Sequence, residues 1–264
     1  MIPKIIHYCW FGGKPLPESA AVCIASWRRF CPDYRIKQWD ETNFDVTAHP
    51  YTKCAYEAQK WAFVTDYVRL CALYDEGGIY LDTDVELVRC WDDLLDCSGF
   101  IGFEKSGVPR KRVNTGQGFG AEPGLAALGA IKAQYEQAKF RFEGGAQMKT
   151  TLDFFTDYLE AQGLRCEDRL QQAGGFTVYP TDYFCPKDGN YGAITLTPNT
   201  HSIHHFDASW FGAREQKALL RGEKLCGIFG VKIGRTLNSL LANFEAGGIR
   251  GVLAKLKKSI CLSI

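Results

Sequence analysis

The 264-residue sequence lacks any apolar run approaching the roughly 18 residues that cross a membrane. Its opening, Met1-Ile2-Pro3-Lys4-Ile5-Ile6-His7, holds too short an apolar stretch, in the wrong order, for a signal peptide. A cytoplasmic protein is expected. There is no Cys-x-x-Cys pair: the 11 cysteines are an odd, scattered set, several in apolar surroundings. That argues against a disulfide framework or a zinc knuckle and for reduced, buried thiols. An excess of charge is missing too, with 31 Lys and Arg against 30 Asp and Glu, so the body of the protein carries no nucleic-acid footprint. No internal repeat or low-complexity tract appears, and the length suits one catalytic domain with a small appendage.

What is present alternates. Lys4 to Phe11 is β-branched and aromatic and stops at Gly12-Gly13, which predicts a buried first strand. A helix is expected over 18–30, with Val22, Ala25, Trp27 and Phe30 as its apolar face, and then a strand over 34–39. The clearest helix is predicted over 57–76, where Trp61, Val64, Val68, Cys71 and Ala72 recur at three- and four-residue steps before Gly77-Gly78. A strand, Ile79-Tyr80-Leu81, follows at once. Strands are also expected over 99–103 and 176–179, and helices over 125–142 and 151–161. This order predicts a layered α/β domain with ligands beyond the carboxyl ends of its strands. The last fifty residues differ, since 214–264 hold ten Lys or Arg against three Glu. They read as a basic helical C-terminal appendage in contact with something anionic, or as a solvated helical face.

The chemistry gathers at Gly77 to Asp84. In an extended chain, residues two apart point to the same side, so Asp82 and Asp84 would aim two carboxylates at one point past a strand end. Such a pair invites a hard divalent cation that bridges a diphosphate; the alternative is a solvated turn. Asp66 and Arg69, three apart on a helix, form either a donor-binding pair or a plain intrahelical ion pair. His201 to Trp210 holds three of the five histidines; an imidazole beside two carboxylates makes a mixed set suited to manganese, the alternatives being a polar loop or a structural zinc site. Trp10 is either a core aromatic or a stacking platform for a base. Asn114, Thr115 and Gln117 lie among glycines and read either as a ligand-facing loop or as the commoner plain Gly-rich turn, and not as a P-loop, since no Gly-Lys-Ser/Thr follows.

Four segments together, Ile2 to Gly13, Thr65 to Arg69, Gly77 to Asp84 and His204 to Trp210, resemble the DXD-motif glycosyltransferase family of bacterial capsular polysaccharide synthesis proteins and the yeast initiating α-1,6-mannosyltransferase. A more distant likeness is to the large clostridial glucosylating toxins. The resemblance implies a GT-A type, Rossmann-like mixed sheet flanked by helices over residues 1–213, with 214–264 as the appendage. It implies a retaining hexosyltransferase that moves a sugar from a nucleotide-sugar, UDP-galactose or UDP-glucose, to a saccharide acceptor, with Mn2+ or Mg2+ as cofactor. By position, Trp10 resembles the residue that stacks on the base, and Asp66 and Arg69 those that hold the donor sugar. His7, Tyr80, Asn114, Gln117 and Trp210 fall with Asp82 in the donor-binding set, and Asp84, Asp82 and His205 would hold the metal. One departure is Ala208, where the toxins have serine two residues before the final tryptophan. It leaves His204, Asp207 or Ser209 as substitutes for His205. A lipid-linked acceptor at the anionic inner leaflet would suit the basic appendage. The competing readings are a sugar-nucleotide nucleotidyltransferase and a binding module without turnover.

Overall fold

In a computed structural model, residues 1–105, 110–138, 140, 149–207 and 213–261 are described. The chain divides into two compact units, Met1–Asp188 with Ile194–Phe206, and Gly189–Ala193 with Asp207–Ile264. The first is a mixed α/β unit, as the alternation implied. Its strands are β1 (Ile5–Cys9), β2 (Arg35–Trp39), β3 (Gly78–Tyr80), β4 (Val85–Leu87), β5 (Gly99–Phe103), β6 (Val113–Ala121), β7 (Gln171–Ala173), β8 (Phe176–Tyr179) and β9 (Ser202–His204). Its helices are α1 (Glu18–Phe30), α2 (Pro50–Glu57), α3 (Trp61–Glu76), α4 (Ala126–Gln137), α5 (Thr151–Ala161) and the short α6 (Thr181–Phe184). Seven strands form one sheet in the order β2-β1-β3-β6-β5-β8-β7, and β4 pairs with β9 in a separate ribbon.

The sheet is mixed because β6 runs against both neighbours, β3 and β5, while β1 is parallel to β2 and β3 and β5 is parallel to β8. The carboxyl ends of β1, β3, β5 and β8 therefore share an edge with the start of β6. Side chains alternate between two cores. Ile6, Tyr8, Ile79, Leu81 and Phe100 face α1, Trp91 and Phe184; Cys9, Tyr80, Ile101 and Phe119 face α3, α4 and α5.

Several sequence expectations need correction. The buried face of α1 is Ala20, Cys23, Ile24 and Trp27, a clean i, i+3, i+4, i+7 stripe, whereas Val22 is exposed. The helix expected from 57 starts at Trp61, because Gln59 takes a left-handed φ of 55° and separates it from α2. Helix α4 stops at Gln137 rather than 142. The largest change is at 113–121: the presumed glycine loop is β6, buried at every position. Gly118 and Gly120 leave room for aromatic rings, since a Cβ would lie 2.8 Å from Phe184 and 2.3 Å from Phe100. Their role is close packing rather than turning.

His7 also departs from its expected place in the donor site. It lies at 0% exposure beneath the α3–β3 turn. Trp39 donates its indole N–H to Nδ1 at 3.0 Å, which puts the ring proton on Nε2, and that nitrogen donates to the Gly77 carbonyl at 2.8 Å. Burial pushes its pKa down to about 4, with the Gly77 carbonyl only partly opposing. Between about 6.5 and 4 the unfolded chain binds a proton here that the native state refuses, so stability falls as pH falls through that window. Urea unfolding is expected to lose roughly 3 kcal/mol across it. His7→Asn should flatten that part of the profile, and identical slopes in the two proteins would contradict this origin.

Candidate functional site

The turn between β3 and β4 carries the acids. Gly77 and Gly78, at φ 65° and 106°, let the chain leave α3 against Pro123, Pro3 and the Ile5 carbonyl, where a Cβ would sit 2.7 Å from its nearest neighbour in each case. Strand β3 ends at Tyr80. The Asp82 N–H then donates to the Gly116 carbonyl at 2.8 Å, and the Val85 N–H donates to the Asp82 carbonyl at 3.1 Å. The two carboxylates thus converge through a turn, not through the strand alternation that the spacing suggested.

The other half of the site comes from the ribbon. Strand β4 is anchored to α1, where the Trp27 indole donates to the Val85 carbonyl at 2.7 Å and the Leu87 N–H donates to Ser26 Oγ at 2.9 Å. On its other edge β9 pairs Val85 with His204, and the His205 N–H donates to the Asp84 carbonyl at 2.9 Å. One step along an extended chain reverses the side chain. His204 accordingly points at Asp84, with Nε2 3.3 Å from Oδ1, while His205 turns to Glu86 at 2.9 Å. Ligand atoms of Asp82, Asp84 and His204 all lie within 4.8 Å of one another. The geometry brings His204 into this group, whereas His205, the position-based expectation, faces Glu86. Trp210 and Ser209, also expected here, lie outside the described residues; Asp207 belongs to the second unit.

The cluster fits a divalent cation. Two carboxylate oxygens and an imidazole nitrogen suit manganese or magnesium, with the nitrogen favouring manganese. His204 Nδ1, the ring nitrogen other than the one that faces Asp84, is buried without a hydrogen-bond partner among the described residues. Burial opposes a charged His204, yet Asp84, aided by Asp82 and Glu104, outweighs it and raises the imidazole pKa. The pocket is electronegative.

Arg69 counters that field from α3. Buried, it reaches Asp66 Oδ1 and Asp82 Oδ1, each at 3.3 Å, and donates to Thr115 Oγ1 at 3.1 Å and to the Thr65 carbonyl and hydroxyl at 3.2 Å. Its guanidinium lies 4.5 Å over the Tyr80 ring, whose hydroxyl donates to Asp82 at 3.1 Å. Burial works against the charge on Arg69, but Asp82, Tyr80 and Asp66 more than restore it. Asp66 is also buried; its pKa is raised by desolvation against the pull of Arg69, and it accepts from the Thr151 N–H at the start of α5. The pair is therefore more than an intrahelical bridge: it holds Asp82.

Glu104 and Asn114 lie beside the cluster. Glu104, just past β5, accepts from Asn114 Nδ2 at 2.9 Å, and Asn114 Oδ1 accepts from the Gly116 N–H at 2.7 Å. Gln117 is turned inward and donates to the Phe103 carbonyl, so it braces the sheet instead of facing a donor. Sequence reasoning missed Glu104 and Thr115 as a partner of Arg69, and held His204 only as a substitute for His205. The period-two alternation of glycines at 116, 118 and 120 was the available sign that this segment is a strand. At Gly116 a Cβ would fall 1.9 Å from Asp82 Oδ2. Gly116→Ala is expected to displace that carboxylate and weaken manganese binding by about tenfold to a hundredfold, as read by calorimetry; an unchanged affinity would contradict it.

Next to the cluster, at the same edge, Trp10 is half-buried and its indole donates to the Lys14 carbonyl at 2.6 Å. The loop that follows lies on Trp61. Glu41 accepts from the Gly12 N–H at 2.7 Å and from the Tyr56 hydroxyl at 2.9 Å. Gly12, Gly13, Glu41, Tyr56, Glu57, Gln59 and Trp61 line an open cleft of about 650 Å³.

Residues 17–101 match the family described as "Glycosyltransferase sugar-binding region containing DXD motif". Inositol phosphoceramide mannosyltransferase 3 of Schizosaccharomyces pombe is 36% identical over 104 residues, covering 38% of this chain and 29% of the relative's length. Among solved structures, similarity is found to the PaToxG glycosyltransferase (TM-score 0.45, 19% identity, 61% of this chain and 69% of that one). It is also found to the galactosyltransferase LgtC, solved with donor and acceptor sugar analogues (0.42, 14%, 81% and 94%). A third is a glycosyltransferase involved in glycosylation of the major capsid of PBCV-1 (0.44, 13%, 83% and 100%). All three scores lie below 0.5, short of establishing a shared fold.

Proposed function

We propose that this protein is a GT-A type glycosyltransferase that holds a nucleotide-sugar at the Asp82, Asp84 and His204 cluster and passes the sugar to a saccharide acceptor. The observation that carries the reading is the convergence of those three side chains within 4.8 Å, inside and beside the region that matches a sugar-binding DXD family. A divalent cation bound there, manganese by the nitrogen ligand, supplies charge neutralisation for the diphosphate. The donor is a UDP-hexose, glucose or galactose, on the resemblance to the bacterial proteins.

The chain's own groups divide the work. Arg69 and Tyr80 hold Asp82 in place, and Asp66 accepts from sugar hydroxyls. Trp10 and the adjoining cleft offer an aromatic seat for the nucleoside. Transfer proceeds with retention by front-side substitution: the bond from the anomeric carbon to the diphosphate oxygen breaks, the acceptor oxygen bonds to that carbon, and the departing diphosphate takes the acceptor's proton. Glu104 is the carboxylate that a double displacement would recruit at this edge, and a covalent glycosyl-enzyme on Glu104 would overturn the front-side route. The acceptor is lipid-linked, presented at the anionic inner face of a membrane, a reading supported by the basic 214–264 segment.

Incubation with UDP-glucose or UDP-galactose, manganese and simple saccharides tests the reading. UDP release and an α-linked product are expected, both lost on chelation. UDP-sugar formed from UTP and sugar-1-phosphate, with no transfer, would assign the protein to nucleotidyl transfer instead.

A further inference from the structure

The second unit is built from α7 (Ala213–Phe229) and α8 (Val231–Cys261), joined at Gly230, which takes a φ of 77°. The two helices touch through backbone: a Cβ at Gly234 would lie 2.5 Å from the Cys226 backbone. A polar seam closes the pair, with Arg221 Nε donating to Asn238 Oδ1 and Asn238 Nδ2 donating to the Ala218 carbonyl, each at 2.9 Å. The hairpin therefore spends its small and polar residues on itself. Several of its large apolar side chains face out.

At the tip, Ile228, Phe229 and Ile233 are 72%, 49% and 56% exposed. Ile233, Leu237, Leu241 and Phe244 follow at i, i+4, i+8 and i+11, one stripe of α8, and Leu241 and Phe244 are exposed too. Between Glu223 and Glu245 there is no acidic residue, while Lys224, Lys232 and Arg235 fall in that span. No helix among the described residues is long and apolar enough to cross a membrane. Apolar side chains at a helical turn, collared by cations and clear of anions, match a surface that is anionic above and hydrocarbon below.

We infer that the α7–α8 tip docks on an anionic lipid surface, with Ile228, Phe229 and Ile233 entering the acyl boundary and Lys224 and Lys232 lying among the headgroups. The inference rests on the proposed transfer only in saying why the enzyme goes there, which is to meet a lipid-linked acceptor. It identifies the tip, not basic charge alone, as the anchor.

Flotation of the full chain with vesicles of phosphatidylglycerol and phosphatidylethanolamine tests it. Wild type should float with these and stay behind with phosphatidylcholine alone. Ile228→Ser/Phe229→Ser/Ile233→Ser should lower partitioning about tenfold or more, and Lys224→Glu/Lys232→Glu should abolish it. Phe229→Trp guards against a misfolded triple variant: its fluorescence, compared with that of wild type, should gain a component that shifts to the blue on anionic vesicles. Asp84→Asn should float like wild type, which separates loss of docking from loss of catalysis. The inference is overturned if the triple variant floats as wild type does, or if the added emission of Phe229→Trp does not move. It is equally overturned by a concentration-dependent dimer that the same triple variant abolishes.

Discussion

Arg69→Met is expected to destabilise the protein by about 3–5 kcal/mol, the range for removing one partner of a buried ion pair. Arg69 is 4% exposed and touches Asp66, Asp82, Thr65, Thr115 and the Tyr80 ring. Methionine fills similar volume but leaves the buried Asp66 carboxylate without its cation, met by the N–H and side chain of Thr151. Asp66 should respond by taking up a proton at higher pH than in the wild type. Arg69→Lys is expected to recover only part of the loss, because an ammonium cannot reach both carboxylates and Thr115 in one planar fork. Asp66→Asn in the Arg69→Met background should cost far less than the sum of the two changes. Urea denaturation reads all three, and a loss below about 1 kcal/mol for Arg69→Met would mean that the pair behaves like a surface bridge.

Asp84→Asn is expected to act in the opposite sense. Transfer should fall by at least about a thousandfold, since several kcal/mol of charge stabilisation on the leaving diphosphate go with the cation. The fold should persist, because Asp84 lies in the turn between β3 and β4 and asparagine matches it in size and can still meet His204. Activity assays beside thermal melts check both halves. A variant that melts much earlier than wild type would show that Asp84 holds the fold rather than a ligand.

The first hundred residues are largely readable because their local signals agree with the tertiary outcome. The helix over 18–30 is legible at both ends, although its buried face runs through Ala20 and Cys23 rather than Val22. Asp82 and Asp84 stand out because a hydrophobic strand delivers them to its end after a Gly-Gly break. The rest depends on partners distant in sequence. Val113 to Ala121 reads as a loop by composition; it is a strand because Phe100, Phe184 and Asp82 occupy the space that side chains at 116, 118 and 120 would fill. The choice between His204 and His205 is invisible in a run of two histidines. The pairing of β9 with β4 decides it, and that ribbon joins residues far apart in the chain. His7 looks like a ligand residue by position, but Trp39 and Gly77 take both of its nitrogens.

The central claim is that Asp82, Asp84 and His204 grip one divalent ion, and manganese titration in the presence of UDP tests it most directly. Calorimetry on wild type, His204→Ala and His205→Ala should show affinity falling about tenfold or more for His204→Ala and staying at the wild-type value for His205→Ala. The reverse pattern, or manganese bound equally well by all three proteins, would contradict the account.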